Sequence, residues 1–431
     1  MTGGHAPADA RGARDQPGLR ALPRLLLAYH FFHPDDVVSA RIFSDFALEQ
    51  QRRGWQVSVV TSNRSCFDPA RRFDAFEDWN GVAIHRLFRP PWTQARPFQR
   101  LANSGWMTAG WLARIAELGP FDAVVVGSDP AFSPMLGPGL RRLQPRAALV
   151  HWCFDLYPEA IAAEMGDGNA AIRLLVPAAR RLMKWGYGAY DALVDIGPRM
   201  QERLGAYGTA AAQRTLVPWA LAEPPRPALS DPSVRAELFP RARLALLYSG
   251  TMGRAHDYRA FLDLARACRA RSGDDVAFCF SSRGNRQEEL RAAVTPADTN
   301  VTLVPFADEA ALQARLGAAD LHLVSLQPEW AGIVVPSKFF GSLAVGRPVL
   351  YAGPGDSEIA RWIATHDVGL RLGGGTLGAV VDRLHGLIEQ PDDLGRWQSN
   401  AFAVYHREFS KKVVNDRWDE LLRALVARRG S

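Results

Sequence analysis

Two α/β domains, each a parallel sheet with crossover helices and each facing a shared cleft, are what this sequence predicts. Three observations lead there. At 431 residues the chain is too long for one ordinary core. Short apolar strands alternate with helical patterns along almost its whole length. The alternation breaks once, at 217–232, in the proline-dense stretch VPWALAEPPRPALSDP.

Residues 1–22 are rich in Gly, Ala, Arg, Asp and Pro and lack the apolar run of a signal peptide, which predicts a disordered tail. The first domain, 23–218, is expected to place strands at 24–29, 56–61, 82–87, 123–126, 147–151 and 192–196. Between the first two lies an amphipathic helix, 39–53, closed by Gly54. A linker spans 219–240. The second domain, 241–395, restarts with a strand at 244–248 and a helix at 257–271, followed by strands at 276–280, 300–305, 321–326 and 348–351. A last helical region, 396–431, carries Trp397, Phe402, Tyr405, Phe409 and Trp418, enough apolar surface to pack across both domains. Both halves read as Rossmann-like, so ligands are expected at the carboxyl strand ends, inside the cleft.

Composition narrows the function classes. Hydrophobic residues make up 47% and charged residues 22%, as in soluble globular proteins, and no apolar run is long enough to cross a membrane. Cys66, Cys153, Cys268 and Cys279 are scattered, with no C-x-x-C pair, which points to a reducing cytoplasm and no structural metal. The net charge of +6 favours an anionic partner, but the arginines are spread along the chain, which argues against nucleic acid. Residues 85–115 interleave Arg86, Arg89, Arg96 and Arg100 with Phe88, Trp92, Phe98, Trp106 and Trp111. That mixture suits peripheral docking at the inner face of the plasma membrane; inward packing of the aromatics is the competing reading.

The most informative stretch is PEWAGIVVPSKFFGSLAVGRPVLYAGPGDSE. A helix is expected to begin near Pro336, whose missing N–H costs nothing in a first turn. The amides of Ser337 and Lys338 then face the cleft unpaired, with the helix dipole behind them. That is an anion site fit for a diphosphate: Lys338 adds a charge, Ser337 a hydroxyl, and Gly332 lets the loop approach. A second glycine turn, YSGTMGRAHD, offers Gly250 and Gly253 for close backbone approach and Arg254 for pairing with phosphate. A third, GPGDSE, places Glu358 in a first helical turn, to complement the dipole or to hold a sugar hydroxyl. In the first half, His33, Asp35 and Asp36 follow the first strand on the acceptor side. His151, Asp155 and Glu159 stand at or after a strand end, where Asp155 could orient or deprotonate an acceptor hydroxyl.

These pieces resemble the retaining family 4 glycosyltransferases of the GT-B fold. The resemblance rests on YSGTMGRAHD, NVTLVPFAD, the run from Ala318 to Gly353, HWCFDLYPE and VPWA. It is closest to a bacterial surface-polysaccharide branch with a DLWPE-like segment and a PSK helix start. It implies that Gly253, Arg254, Lys338 and the amides of Val335 to Ser337 hold the donor diphosphate, and that Val304 to Phe306 flank the base. It also implies Asp155 as the aspartate of the DLWPE-like segment. One departure is that the family's Glu-x7-Glu pair falls on Ile333 and Gly341, which leaves Glu358 as the substitute for the ribose contact.

The expected activity is transfer of a sugar from a nucleoside diphosphate, UDP before GDP, to an acceptor hydroxyl with retention. It uses no metal and no cofactor beyond the nucleotide sugar. The acceptor is a lipid-linked (undecaprenyl-diphosphate) sugar or a soluble metabolite. Two alternatives stand beside it: a non-catalytic nucleotide-sugar-binding assembly subunit, and a nucleotide-sugar epimerase of the same fold.

Overall fold

The computed structural model describes residues 22–66, 68–92, 97–166, 170–307 and 309–430. The tail expected at 1–22 lies outside them, except for Leu22. The first sheet has eight strands: β1 (Arg24–Ala28), β2 (Gln56–Ser62), β3 (Phe76–Trp79), β4 (Val82–Leu87), β5 (Ala123–Gly127), β6 (Ala148–Trp152), β7 (Ala192–Asp195) and β8 (Ala212–Thr215). Their order is β3-β4-β2-β1-β5-β6-β7-β8, parallel except for β3 against β4. The second sheet is wholly parallel: β9 (Leu244–Thr251), β10 (Val276–Arg283), β11 (Val301–Val304), β12 (Leu321–Ser325), β13 (Val349–Ala352) and β14 (Gly369–Leu372), in the order β11-β10-β9-β12-β13-β14.

In each sheet the strand order reverses once, beside β1 in the first and β9 in the second. A reversal sends the following loops apart and leaves a crevice at the carboxyl ends of those strands. The loops after β1, β5, β9 and β12 therefore decide what can bind.

Three strands were not foreseen. β3 pairs with β4 through Asn80 and Gly81, both at positive φ (52° and 83°), a two-residue hairpin turn. β8 and β14 are four-residue strands that end their sheets, and both alternate weakly because one edge is solvated. The central strands are the legible ones: β5 and β6 are buried at every position, and so read as continuous apolar runs.

The chain ends by crossing back. Helix Pro391–Val404 lies with the second domain and passes through a π-helical turn, Tyr405–Phe409, into helix Lys411–Gly430. There Trp418 is fully buried, with ring centroids 4.7 Å from Trp152 and 5.0 Å from Phe46. Asn415 accepts from Gln50 Nε2 at 3.2 Å in the same core. At the π-helical turn, Phe409 packs on Phe340 and Trp362 of the second domain at 5.4 and 5.5 Å. Tyr405 Oη accepts from the Ala220 amide at 2.8 Å and donates to Glu223, which fixes the linker. The two domains are thus one packed body on the side opposite the cleft mouth.

Candidate active site

The second-domain side of the cleft is built from the ends of β9, β10 and β12. After β9, Gly250 holds φ 132°, which disfavours any side chain, and a Cβ there would lie 2.7 Å from Lys338 Cε. The glycine thus lets the lysine stem lie flat against the turn. Lys338 Nζ donates to Thr251 O at 2.8 Å and to His256 Nε2 at 3.2 Å, and stands 5.2 Å from the Tyr248 ring centroid. His256 Nδ1 lies 2.7 Å from Ser325 O, so that nitrogen carries the proton and Nε2 is left to accept. Burial, and then the Lys338 charge, push the imidazole down to about 3, so it stays neutral.

Among the described residues Lys338 has no carboxylate within ion-pair distance. Burial lowers its ammonium to about 7. A desolvated cation with no counter-charge is stabilised by any anion that reaches it. The space in front of it is a cavity of about 200 Å³, lined by Ser249, Gly250, Thr251, Arg283, Phe306, Ser337, Lys338 and Gly341 together with Trp219 to Ala222 of the linker. Arg283 lies over the Phe306 ring at 4.3 Å, so the far wall is a flat cation on an aromatic face, a surface on which a base can stack.

The linkage sign follows from the lysine. Its pKa is lowered, an anion requires the protonated form, and so affinity for a nucleoside diphosphate is expected to fall as pH rises above about 7, by up to about tenfold per unit. Binding above that pH takes up a proton, which calorimetry in two buffers of different ionisation enthalpy measures directly. A flat affinity between pH 6 and 9 would contradict the assignment.

Gly341 forms part of the same wall, and a Cβ built there meets nothing within 4 Å. Replacing it by alanine should leave the fold unchanged and stabilise helix Lys338–Ala344 by about 0.5–1 kcal/mol, read as a raised melting temperature. The open position is where the family resemblance sets its second glutamate, and no side chain fills that place.

The first-domain side adjoins it. A second cavity, about 190 Å³, is lined by Ser39, Phe154, Asp155, Pro218, Val335 and Ser337; Val38 and Ser337 belong to both cavities, so the two adjoin. The amides of Phe154 and Asp155 both donate to Ser128 Oγ at 3.1 Å, which fixes the loop after β6 against the end of β5. Burial first, then neighbouring Asp129, raises the Asp155 carboxyl to about 7. Asp129 is in turn held by His30, whose Nδ1 lies 3.3 Å from its Oδ1 and whose Nε2 accepts from Asn103 at 3.1 Å. The Leu156 amide donates to Ile333 O at 3.1 Å and ties this loop to the donor side.

Several residues singled out in the sequence lie elsewhere. His151 is fully buried in β6, its ring 5.5 Å from those of Tyr187 and Tyr190, because its side chain leaves the strand toward the helix layer. Glu159 accepts from Arg180 Nε at 2.8 Å and Tyr207 Oη at 2.9 Å, a pairing internal to the first domain. Glu358 is buried and accepts from the Met200 amide at 3.0 Å. It therefore satisfies the N-terminus of helix Pro198–Gly205 in the other domain, which occupies it away from a ribose. Asp35 accepts from Ser65 Oγ and the Cys66 amide, at 3.0 and 2.8 Å. Asp36 is exposed, 3.7 Å from Arg41, and His33 stacks on Trp79 at 4.1 Å.

Arg254 is paired with Glu164 of the first domain at 2.8 Å, a contact that bridges the cleft mouth and does not point at Lys338. Gly253 has open space before it. Val304 lines an adjoining cavity that shares Arg283 and Phe306 with the Lys338 cavity. The helix starts at Lys338, two residues later than expected, with Ser337 at its N-cap and a turn from the Phe339 amide to Pro336 O before it. Sequence reasoning missed His256, Arg283, Asp129 and His30. A larger cavity, about 460 Å³, lies beyond Gln327 and Gly353, but Asp257 and Asp263 face it, which disfavours a phosphate there.

This arrangement can be set beside known proteins. Residues 39–220 match the description "Glycosyl transferase 4-like domain". That match falls in the first domain and spans less than half of the chain. The chain is also 26% identical over 260 residues to a protein of Pseudomonas aeruginosa described as "Probable glycosyltransferase WbjE"; the match covers 58% of this chain and 61% of that one. Among solved structures, sucrose-phosphate synthase from Thermosynechococcus elongatus superposes with a TM-score of 0.71 at 16% identity, over 94% of this chain and 100% of the other. Anabaena HepE, solved with UDP, gives a TM-score of 0.64 at 12% identity over 94% and 100%. At such identities these structures establish the shared GT-B fold alone, two parallel-sheet domains with a long C-terminal helix. Among the described residues no helix is long and apolar enough to cross a membrane.

Proposed function

We propose that this protein transfers a sugar from a nucleoside diphosphate to an acceptor hydroxyl with retention of anomeric configuration, in the assembly of a polysaccharide or glycoconjugate. The observation that carries the reading is Lys338: a desolvated ammonium without a carboxylate partner, facing a cavity whose far wall is Arg283 on Phe306. The diphosphate lies against Lys338, the open turn at Gly253 and the first amides at Ser337, and the base against Phe306. UDP is favoured over GDP, in keeping with the UDP complex of HepE.

The sugar then extends into the second cavity, toward Asp155. As the bond from the anomeric carbon to the phosphate oxygen breaks, negative charge grows on that oxygen, and donors already aimed at it lower the barrier. The acceptor hydroxyl attacks on the same face, and its proton passes to the departing phosphate oxygen. Asp155 accepts a hydrogen bond from a neighbouring hydroxyl of the acceptor and so orients the attacking one. Arg254 exchanges Glu164 for phosphate as donor enters.

The test is incubation with UDP-sugars and either a lipid-linked or a soluble acceptor, followed by nuclear magnetic resonance of the new glycosidic bond. A product of the donor's anomeric configuration supports the reading. An altered sugar still attached to its nucleotide would identify an epimerase instead, and binding with neither hydrolysis nor transfer would identify an assembly subunit.

A further inference from the structure

One long helix of the first domain has two apolar faces, and only one is used. In Ala170–Tyr187, Met183 and Tyr187 point into the core, at 0% and 1% exposure. On the opposite side Leu174 (78% exposed), Leu175 (61%), Leu182 (47%) and Trp185 (58%) stand in water. With Ala178, their spacings of three and four residues form one stripe. Large apolar side chains clustered in this way mark an interaction surface.

The charge pattern says what covers it. The helix carries Arg173, Arg180, Arg181 and Lys184 and not one acidic residue. Arg181 and Lys184 are exposed along one edge of the stripe. Two copies of this chain meeting through the stripe would set these edges against each other and bury like charges. An anionic lipid surface meets both needs, taking the apolar stripe among its acyl chains and the basic edge at its headgroups.

Location agrees. The preceding helix, Glu159–Met165, packs against this one, has Met165 exposed, and carries the Glu164 that pairs with Arg254 at the cleft mouth. The segment favoured from sequence, 85–115, fits less well. Arg86 donates to His33 O and Glu77, Arg89 is buried with a bond to Ser65 O, and Trp111 lies in the core. Arg96 lies outside the described residues, as do the side chains of Phe98 and Arg100. Leu101 and Trp106 remain exposed there, with Phe88 beside them.

We infer that helix Ala170–Tyr187 docks the protein onto anionic membrane surfaces through Leu174, Leu175, Leu182 and Trp185, so that the cleft mouth opens beside the lipid. The inference stands on the helix alone and is independent of the acceptor's identity.

Flotation of the full chain with phosphatidylcholine vesicles, with and without phosphatidylglycerol, tests it. Wild type should float with the anionic vesicles, less so at high salt, and poorly with the neutral ones. The pair Leu174→Ser and Trp185→Ser should lower partitioning at least about tenfold with the melting temperature retained, while Leu101→Ser with Trp106→Ser leaves it unchanged. If the first pair unfolds the protein, Arg181→Glu alone should still cut anionic binding severalfold. Absence of flotation by wild type would overturn the proposal, as would flotation unaffected by the helix variants. A dimer seen by light scattering and dissolved by Leu174→Ser with Trp185→Ser would assign the stripe to a second copy.

Discussion

Lys338→Ala is expected to weaken nucleoside-diphosphate binding by about 10- to 100-fold, the loss of a charge-assisted contact in a desolvated site. The argument is local. Lys338 Nζ is spent in the free protein on Thr251 O and His256 Nε2, both neutral, so its charge is available to phosphate. Those same contacts hold it in place, which keeps the entropy cost of engaging phosphate small. The variant should fold, because alanine removes a burial penalty and leaves Gly250 unobstructed. Calorimetry with UDP at pH 6.5, paired with thermal denaturation, reads both consequences. Unchanged affinity in a folded variant would remove the diphosphate from this cavity.

Asp155→Asn should lower turnover by about 10- to 100-fold, the loss of a charge-assisted contact that orients the acceptor, while leaving UDP affinity within about twofold. The split follows from the geometry: Asp155 lines the second cavity and is absent from the wall around Lys338. Its carboxyl is raised to about 7, so below that pH the wild type holds it protonated, a weaker acceptor toward a hydroxyl than the carboxylate. Turnover of the wild type should accordingly rise through pH 7, and this rise should vanish in Asp155→Asn. The sign for stability is opposite: a carboxyl whose folded pKa is raised costs stability as pH climbs from the unfolded value near 3.8 through 7.

The cavity around Lys338 was legible because its determinants are local. A glycine turn after an apolar strand and a Pro-Ser-Lys helix start each announce backbone groups open to a ligand, and the sheet reversal brings them together. Of the first-domain histidines and carboxylates singled out, only Asp155 lines the adjoining cavity. His151 lies in a strand buried on both faces, where nothing in ALVHW says which layer a polar residue meets. Glu358 looked like a free carboxylate, but its partner amide is 158 residues away in another domain. His256 sits in the quoted YSGTMGRAHD, yet its role depends on Ser325 and Lys338, 69 and 82 residues off. Edge strands β8 and β14 escaped for the reverse reason: half solvated, they carry too few apolar residues to make a period.

Three of the unforeseen contacts bridge the domains. Glu358 on the Met200 amide, Arg254 on Glu164 and Leu156 on Ile333 hold the cleft at its present width. Of the three, only the Arg254 pair joins two side chains that water reaches, one exposed and one half-buried, so it is the one that yields to a ligand at least cost.

A crystal structure with UDP tests the central claim most directly. The account predicts the diphosphate within hydrogen-bond reach of Lys338 Nζ and the Ser337 amide, with uracil stacked on Phe306 beside Arg283. A nucleotide found instead in the larger cavity by Gly353 and Arg371, or lodged against Asp155 with Lys338 still bound to Thr251 O, would contradict it.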